Sequence, residues 1–437
     1  MRTRLWVTGT RSTKHPVSRA STRVLVIAGV LGCQKECLVV SRELPRQLLA
    51  CFDAILCDGE SNFSTLSGHP TAFQQAKLGH SPTKGISMTH HQFRAAAVQA
   101  APVFLDLDAS IDKAIGLIED AARAGAELVA FPETYLPGYP WYIWLDAPAW
   151  GFQFTQRYFD NSLEYGTPQA DRIAQAAKDN HIMVVMGLSE RYKASLYIAQ
   201  WIIDAEGKTV AMRRKLKPTH VERTVYGEGD GSDLSVYDTD LGRVGALCCW
   251  EHLQPLSKYA MYSQNEQIHV GAWPSFSLYT GAAYALGPEV NTAASRIYAV
   301  EGGCFVISPC ATVSPEMIEI MCTDDAKRAM LTAGGGHARI FAPDGQLMHE
   351  PLAHDEEGLV FADIDTSLIS IAKAAADPAG HYSRPDVTRL WLNKTPGDRV
   401  VSGPGQDTRY DFTEETAAEV RLEIIEQLAR DEDPAHV

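Results

Sequence analysis

Short apolar runs alternate with amphipathic stretches from residue 93 to residue 363. Apolar residues that alternate or run together over about four to eight positions indicate a strand, whereas apolar residues three or four positions apart indicate a helix. Single strands are predicted at residues 95–100, 127–131, 182–187, 266–273, 304–308 and 359–363. Helices are predicted at residues 111–122, 171–180 and 290–301.

Three further pairs of apolar segments flank short turn sequences and predict β-hairpins. The paired segments are residues 197–204 with 209–213, 234–238 with 243–248, and 338–342 with 346–349. Hairpins mixed with strand–helix–strand units are typical of an α/β fold in which mixed sheets carry helices on the outside.

The charge of the 437-residue chain is unevenly distributed. Residues 1–87 contain 11 Lys/Arg and 5 Asp/Glu, a net of +6, whereas the whole chain carries −15, which leaves −21 for the remainder. Four of the nine cysteines also lie in residues 1–87. This shift predicts a boundary at Met88, a folded domain over residues 88–394 and a polar, acidic tail over residues 395–437, with a helix at residues 414–428.

Three interpretations of residues 1–87 remain open. A basic stretch followed by the apolar residues 24–32 and Cys33 is typical of a targeting segment, although no small-x-small cleavage site is clear. A small docking domain is the second interpretation, although the segment has little periodicity. We favour the third, a non-native or disordered extension with translation starting at Met88, because the first predicted strand follows Met88 closely.

Composition excludes several classes of protein. No apolar run reaches the roughly 18 residues that a membrane helix needs, and a net charge of −15 argues against general nucleic-acid binding. The five cysteines after Met88 are odd in number and lack C-x-x-C spacing, so we expect no metal site and a reducing, cytoplasmic setting.

Three polar residues follow predicted strands, where ligands bind in many α/β sheets. They are Glu133, Lys215 and Cys249. Each also has an ordinary explanation: a glutamate that caps a turn, a lysine on a solvated basic face with Arg213, Arg214 and Lys217, and a buried thiol. Together they form a coherent chemical set, because a thiol needs a base to become a nucleophile and an ammonium group stabilises developing negative charge.

The sequences around these residues resemble the nitrilase branch of the carbon–nitrogen hydrolase superfamily. They are AELVAFPETYLPGYPWY at residues 126–142, RRKLKPTHVERTVYGEG at 213–229, GALCCWEH at 245–252 and AGHYSRPDV at 379–387. The resemblance runs from about Phe93 to about Leu392 and does not extend to residues 1–87. It implies a four-layer αββα sandwich, and GYPW and THVERTVYGEG favour nitrilase over aliphatic amidase.

The resemblance implies a role for each matching residue. Glu133 matches the general base, Lys215 the catalytic lysine, Cys249 the nucleophile and Glu222 a second glutamate near the site. His252 closes the nucleophile motif and is expected to support it. One departure is visible: nitrilases commonly have Asn immediately before the nucleophile, where this chain has Cys248, which we expect to be a strand residue facing the core.

Aromatic residues are concentrated near the first motif, with eight among residues 131–152, against 9% of the whole chain. They predict either core packing or a hydrophobic pocket for aromatic or arylaliphatic nitriles. The expected substrate-binding residues are Tyr139, Trp141, Tyr142, Trp250, His252 and Trp273.

The implied activity is hydrolysis of an organic nitrile to the acid and ammonia through a covalent cysteine intermediate. It needs no metal or organic cofactor. The implied partners are the nitrile, water and further copies of the chain in dimers and spiral oligomers, with no nucleic acid or membrane. A cyanide dihydratase or hydratase and an amidase of the same superfamily remain alternatives, as does a non-catalytic assembly protein with this fold.

Overall fold

Two β-sheets form the centre of the domain, and most of their strands are those predicted. The computed structural model describes residues 90–397. The proposed start at Met88, the three interpretations of residues 1–87 and the helix predicted at residues 414–428 lie outside the described residues. No helix among residues 90–397 is long and apolar enough to cross a membrane.

The first sheet has seven strands, in the order β12-β1-β2-β3-β4-β5 with β6 paired to β4. These strands are β1 (Gln92–Gln99), β2 (Ala126–Ala130), β3 (Met183–Tyr192), β4 (Ser195–Ile203), β5 (Thr209–Arg214), β6 (Tyr226–Gly227) and β12 (Gly358–Asp365). The second sheet has the order β11-β10-β9-β8-β7. Its strands are β7 (Tyr237–Thr239), β8 (Gly242–Cys248), β9 (Ile268–Ala272), β10 (Phe305–Ser308) and β11 (Arg339–Phe341).

Nine α-helices lie within residues 90–397. They are α1 (Leu107–Arg123), α2 (Tyr142–Leu145), α3 (Pro148–Asp160), α4 (Pro168–Asp179), α5 (Pro255–Tyr262), α6 (Pro288–Gly302), α7 (Pro315–Met321), α8 (Asp325–Met330) and α9 (Leu368–Ala375). Only α1, α4 and α6 correspond to predicted helices. The others are short or rich in aromatic residues, so their apolar spacing is a weak helical signal.

The alternation of side chains along each strand creates the layers. Ala97 of β1 faces inward and packs in one cluster with Val270 and Ile307 of the second sheet. Its neighbour Val98 faces outward, in a cluster with residues of α1 and α4. On the opposite side, residues of β8 and β10 pack against α5 and α6. The result is the four-layer αββα sandwich that was expected.

Two predicted hairpins differ from expectation: β7 begins at Tyr237 rather than at residue 234, and the hairpin at residues 338–349 is shorter than expected. Residues 346–349 form a single bridge to β11, between Leu347 and Phe341, instead of a second strand. The physical reason is a side chain: the Nε2 atom of His349 accepts the backbone N–H of Ile340 at 3.1 Å. That donor is therefore not available to a longer backbone ladder.

Candidate active site

Glu133 lies just beyond the carboxyl end of β2, on the side that faces the second sheet. Its backbone N–H donates to the carbonyl of Trp273, at the end of β9, at 3.3 Å. The carboxyl group is almost fully buried, with 1% of the residue exposed. Its Oε2 atom has no hydrogen-bond partner among the described residues. Burial without full pairing is costly for a carboxylate.

Lys215 directly follows β5 and joins two glutamates. Its Nζ atom lies 3.0 Å from Oε1 of Glu133 and 2.8 Å from Oε2 of Glu222. Glu222 lies in a short 3-10 helix, His220–Thr224, where it also accepts the backbone N–H of Thr219 at 2.6 Å and the hydroxyl of Tyr139 at 2.7 Å. The structure thus brings two acids and one cation together in a buried cluster.

Burial and the neighbouring charges shift the pKa values of Glu133 and Lys215 in this cluster. Burial raises the pKa of Glu133 to about 8, even though Lys215 pulls it down. Burial lowers the pKa of Lys215, but Glu133 and Glu222 outweigh it and hold that pKa well above the ordinary value. Lys215 is therefore an ammonium group at neutral pH, whereas Glu133 can exchange a proton there.

Cys249 begins a short 3-10 helix, Cys249–Leu253, immediately after β8. We call this segment the Cys249 turn. Its first residue has φ = +46°, a left-handed conformation that is rare for a residue with a side chain. Burial and Glu133 raise the pKa of the Cys249 thiol, whereas Lys215 and a backbone hydrogen bond from Trp250 lower it. The thiol is thus neutral at rest, beside an ammonium group and the carboxyl group of Glu133, which exchanges a proton near neutral pH.

A second buried ion pair braces the Cys249 turn against the lysine. Arg213 donates from two nitrogens to Glu251, at 2.8 and 2.9 Å. The same carboxylate accepts the backbone N–H of Cys248 at 2.7 Å and of Leu216 at 2.8 Å. Glu251 therefore links the backbone of Cys248 to Arg213 and Leu216, which lie on either side of Lys215 in the chain. It fixes the distance between the Cys249 turn and the end of β5.

A narrow apolar cavity with about 40 Å³ of free volume opens onto Cys249 and Glu222. Four of the six expected substrate-binding residues line it: Tyr139, Trp141, Trp250 and Trp273. Trp144, one of the eight aromatic residues at positions 131–152, also lines it. The lining residues that the sequence did not indicate include Thr219, Pro274, Ser275, Leu278, Leu286 and Asn291. Phe276, just after β9, is a further aromatic residue of the lining.

Two expected substrate-binding residues do not line the cavity. Tyr142 stacks on Phe154 of α3, with ring centroids 4.8 Å apart, because its apolar ring completes the cluster around α2 and α3. His252 belongs to the Cys249 turn, but its side chain is buried away from the cavity and its Nδ1 atom lies 2.6 Å from the carbonyl oxygen of Cys249. The expectation that Tyr142 and His252 line the cavity is therefore wrong.

The expectation for Cys248 is confirmed, and the alternative explanation of Lys215 as part of a solvated basic face does not hold. Cys248 is fully buried in an apolar cluster. Arg213 is also buried, because its guanidinium pairs with Glu251. Arg214 stacks over the ring of Tyr197 at 3.8 Å and pairs with Glu190. Of the basic residues named with Lys215, Lys217 alone is in an exposed pair, with Glu228.

Sequence reasoning missed the residues that hold the site, chiefly Arg213, Glu251 and Asn291. Asn291 of α6 accepts the indole N–H of Trp250 at 2.9 Å and thereby orients a wall of the cavity. A signal existed for Arg213, because Ala211 and Arg213 alternate with the exposed Met212 and so share the inner face of β5. No group of three or more His, Cys, Asp or Glu residues suited to a metal ion occurs within residues 90–397.

Comparisons with known proteins show the family to which this chain belongs. The family described as carbon-nitrogen hydrolase matches residues 94–374. The chain is 62% identical to a nitrilase of Pseudomonas syringae pv. syringae, over 76% of this chain and 98% of that protein. It is 53% identical to an aliphatic nitrilase of Rhodococcus rhodochrous, over 71% of this chain and 86% of that one.

A third relative has a stated specificity that differs from that of the Rhodococcus protein. The chain is also 53% identical to an arylacetone-specific nitrilase of Alcaligenes faecalis, over 71% of this chain and 88% of that one. Among solved structures, a carbon-nitrogen hydrolase from Helicobacter pylori matches with a TM-score of 0.54 and 19% identity, over 68% of this chain and 96% of that one. The structural match concerns the fold alone.

Proposed function

Because this chain belongs to the carbon–nitrogen hydrolase family, among its nitrilases, we propose that it hydrolyses an organic nitrile through a covalent intermediate on Cys249. The observation that carries the proposal is the buried cluster of Glu133, Lys215 and Glu222 beside the thiol of Cys249. Cys249 and Glu222 line one small apolar cavity, and Lys215 joins Glu222 to Glu133 directly behind that lining. Attack on a nitrile carbon requires a nucleophile, a base and a cation grouped in this way.

In the first half-reaction Glu133 accepts the thiol proton and the sulfur attacks the nitrile carbon. The C–S bond forms as one C–N π bond breaks, and the nitrogen takes the proton, which gives a thioimidate. Water then adds with Glu133 as the base, and ammonia leaves a thioester on Cys249. In the second half-reaction another water molecule releases the carboxylic acid and restores the thiol.

Charge develops on the nitrogen and oxygen of these intermediates. The ammonium group of Lys215 and the backbone N–H of Trp250 both lower the pKa of the Cys249 thiol, so we assign these two groups as the donors to that charge. Glu222 holds Lys215 at 2.8 Å and is itself held by Tyr139 and Thr219. Glu222 therefore acts by keeping the lysine directed at the reacting atoms, where a preorganised donor lowers the barrier by about 3–4 kcal/mol.

We propose aromatic or arylaliphatic nitriles as the preferred substrates. Support comes from the cavity, where Tyr139, Trp141, Trp144, Trp250 and Phe276 present flat rings near Cys249. The small free volume favours a slender, planar group over a branched one. The relatives do not decide the preference, because an aliphatic nitrilase and an arylacetone-specific nitrilase are equally similar to this chain at 53% identity.

The decisive experiment measures ammonia release from benzonitrile, phenylacetonitrile, a short aliphatic nitrile, cyanide and the matching amides, with Cys249→Ala as the control. We expect ammonia from the aryl nitriles and none from the control. Turnover of short aliphatic nitriles without aryl turnover would overturn the substrate preference. Ammonia from cyanide alone would favour a cyanide-converting enzyme, and ammonia from amides alone would favour an amidase. No ammonia from any substrate would favour a non-catalytic protein.

We also propose that catalysis resides in residues 88–394, that the chain works in the cytoplasm and that it self-associates. The family match over residues 94–374 supports the first point, and five free cysteines within residues 90–397 support the second. Exposed apolar side chains on α5 and α6, namely Leu256, Ile297 and Val300, support the third. Light scattering after size exclusion would show a dimer or larger species, and a monomer would contradict the third point.

A further inference from the structure

A chain of buried hydrogen bonds runs from the Cys249 turn into the second sheet. His252 Nδ1 lies 2.6 Å from the carbonyl oxygen of Cys249, and His252 Nε2 lies 2.9 Å from Nε2 of His269. His269 Nδ1 lies 2.7 Å from Oε1 of Glu266, whose Oε2 accepts the hydroxyl of Tyr298 at 2.6 Å. We call His252, His269 and Glu266 the histidine relay. None of the three is more than 1% exposed, and none lines the cavity at Cys249.

The geometry of the histidine relay determines where its protons lie. A carbonyl oxygen only accepts, so His252 must donate from Nδ1. Burial and His269 lower the pKa of His252 well below its ordinary value, so its ring is neutral and its Nε2 atom accepts. His269 must then donate from Nε2. One more proton is needed between His269 Nδ1 and Glu266, carried either as an imidazolium–carboxylate pair or as a neutral acid beside a neutral ring.

The end of the relay acts on a peptide group that matters for the proposed chemistry. The carbonyl of Cys249 and the N–H of Trp250 belong to the same planar peptide unit and point in opposite directions. That N–H directly follows Cys249 in the chain and lowers the pKa of the Cys249 thiol. A donor that fixes the direction of the carbonyl therefore fixes the direction of the N–H, and hydrogen bonding to the carbonyl also strengthens the N–H as a donor.

We propose that His252, His269 and Glu266 are positioning residues that hold the Cys249–Trp250 peptide so that its N–H is directed at the reacting sulfur. This inference rests on the proposed function, because it assigns the relay to the same nucleophile. It also explains how a non-glycine residue keeps φ = +46° at this turn, a conformation that needs stabilising contacts.

The surrounding packing fixes the rings of the relay. His269 stacks on Tyr298 with centroids 3.7 Å apart, and His252 stacks on Trp273 with centroids 5.2 Å apart. Gly271 makes room for the contact between the rings, because a Cβ atom there would lie 2.9 Å from Nε2 of His252. The relay therefore has one geometry, as a positioning device requires.

The test compares Glu266→Leu and His252→Phe with the conservative Glu266→Gln, whose amide can donate to His269 and accept from Tyr298. We expect the first two to lower kcat by at least about tenfold with KM nearly unchanged, and Glu266→Gln to retain most of the activity. Cys304→Ala is the matched control, because Cys304 is buried in the same cluster as Tyr298 but is not part of the relay. Equal losses in Glu266→Gln and Glu266→Leu would overturn the proposal.

Thiol labelling separates this inference from the proposed function, because it needs no substrate. The pH profile of Cys249 alkylation by iodoacetamide should move to higher pH by about one unit in Glu266→Leu and His252→Phe, since the thiolate loses an aligned donor. It should not move in Cys304→Ala. A wild-type protein without nitrile turnover but with this shift would refute the function and keep the relay, whereas an unchanged profile would refute the relay.

A measurement on the unaltered protein covers the case in which a variant does not fold. Nitrogen-15 NMR of histidine-labelled protein distinguishes the two neutral tautomers of a ring. We expect one neutral histidine protonated at Nδ1 through the neutral pH range, assigned by its absence from a folded His252→Gln protein or by its contact with His269. A His252 protonated at Nε2 would overturn the proposal.

Discussion

Two buried glutamates, Glu133 and Glu251, stand beside buried cations and yet have opposite properties. Glu251 accepts four hydrogen bonds: two from Arg213 and one each from the backbone of Cys248 and Leu216. Although burial raises the pKa of Glu251, Arg213 outweighs it and the pKa is lowered. Glu133 accepts from Lys215 on one oxygen, its other oxygen has no partner among the described residues, and its pKa is raised to about 8.

The difference lies in the number of donors rather than in burial. Arg213 presents a planar fork to one carboxylate, whereas Lys215 is a point charge shared between Glu133 and Glu222. A saturated carboxylate stays ionised and holds the backbone in place. An under-paired carboxylate exchanges protons near neutral pH, which is what a general base does.

Removing the under-paired carboxylate should have the largest effect on activity. Glu133→Gln keeps the shape of the side chain but removes the proposed base, so we expect nitrile turnover to fall by about 10²–10⁴. The folded state should lose little stability, because a poorly paired charge disappears. Ammonia release and denaturant unfolding measure the two quantities. Glu127→Gln, a change at an exposed position of β2, is the matched control. Near-normal turnover in Glu133→Gln would contradict the role of Glu133 as the general base.

Removing the saturated carboxylate should instead reduce stability. Glu251→Ala leaves the Arg213 guanidinium buried without its partner, and breaking a buried pair in this way costs about 3–5 kcal/mol of the free energy of unfolding. Glu251→Gln should cost less, because the amide oxygen still accepts hydrogen bonds. Urea unfolding at fixed protein concentration provides the measurement. If Glu251→Ala unfolds at the same urea concentration as wild type, Glu251 does not stabilise the Cys249 turn as described.

The two glutamates should also give pH effects of opposite sign. Because the folded pKa of Glu133 is raised from 4.5 to about 8, the folded state binds more protons than the unfolded state in that window. The contribution of Glu133 is thus fully present below pH 4.5 and is lost as the pH rises towards 8, at up to about 1.4 kcal/mol per pH unit. The lowered pKa of Glu251 has the reverse effect, because its contribution is lost as the pH falls below the ordinary carboxyl range.

Unfolding curves between pH 5 and pH 9 would reveal this contrast when wild type is compared with Glu133→Gln. The variant should gain stability relative to wild type as the pH rises from 5 to 8, and the difference should then level off. A constant difference over this range would show that Glu133 has an ordinary pKa. The pH profile of turnover should rise along the same limb, with a midpoint that belongs to the coupled Glu133 and Cys249 pair.

The sequence was sufficient to place the polar residues at strand ends but not to find what braces them. Glu133, Lys215 and Cys249 follow β2, β5 and β8, all of which their apolar runs had predicted. Arg213 and Glu251 are 38 positions apart, and a pair of charges in a sequence is normally a pair of solvated side chains. Only the packing of the two sheets shows that these two meet, because burial of a charge depends on tertiary contacts.

The aromatic residues illustrate the same limit. Composition indicated a pocket near residues 131–152, and Tyr139, Trp141 and Trp144 do line the cavity. Tyr142 packs in the core and Phe152 is exposed on α3. All these rings have the same apolar character in the sequence, so only the course of α2 and α3 decides which of them reaches Cys249.

The smallest effect is expected at Cys248, which contacts the pair of Glu251 and Arg213 and directly precedes the proposed nucleophile, Cys249. Its backbone N–H donates to Glu251 at 2.7 Å, whereas its thiol sits 3.9 Å from a nitrogen of Arg213. Burial and Glu133 raise the pKa of this thiol, and unlike Cys249 it does not line the cavity but is enclosed in an apolar cluster. We therefore expect it to be unreactive. Cys248→Ala keeps the backbone donor and removes only one buried sulfur, and we expect turnover within about threefold and a loss of about 1 kcal/mol in stability.

Iodoacetamide labelling with mass spectrometry completes this test. Among the cysteines of residues 90–397, Cys249 alone should label quickly in both wild type and Cys248→Ala, and Cys249→Ala should lose that label. A more than tenfold loss of turnover in Cys248→Ala would mean that the side chain before Cys249 tunes the nucleophile. In that case the hydrogen bonds that Glu251 accepts would not be sufficient to position the Cys249 turn. The thiol of Cys248 would then contribute, together with Glu251, to the position or the reactivity of Cys249.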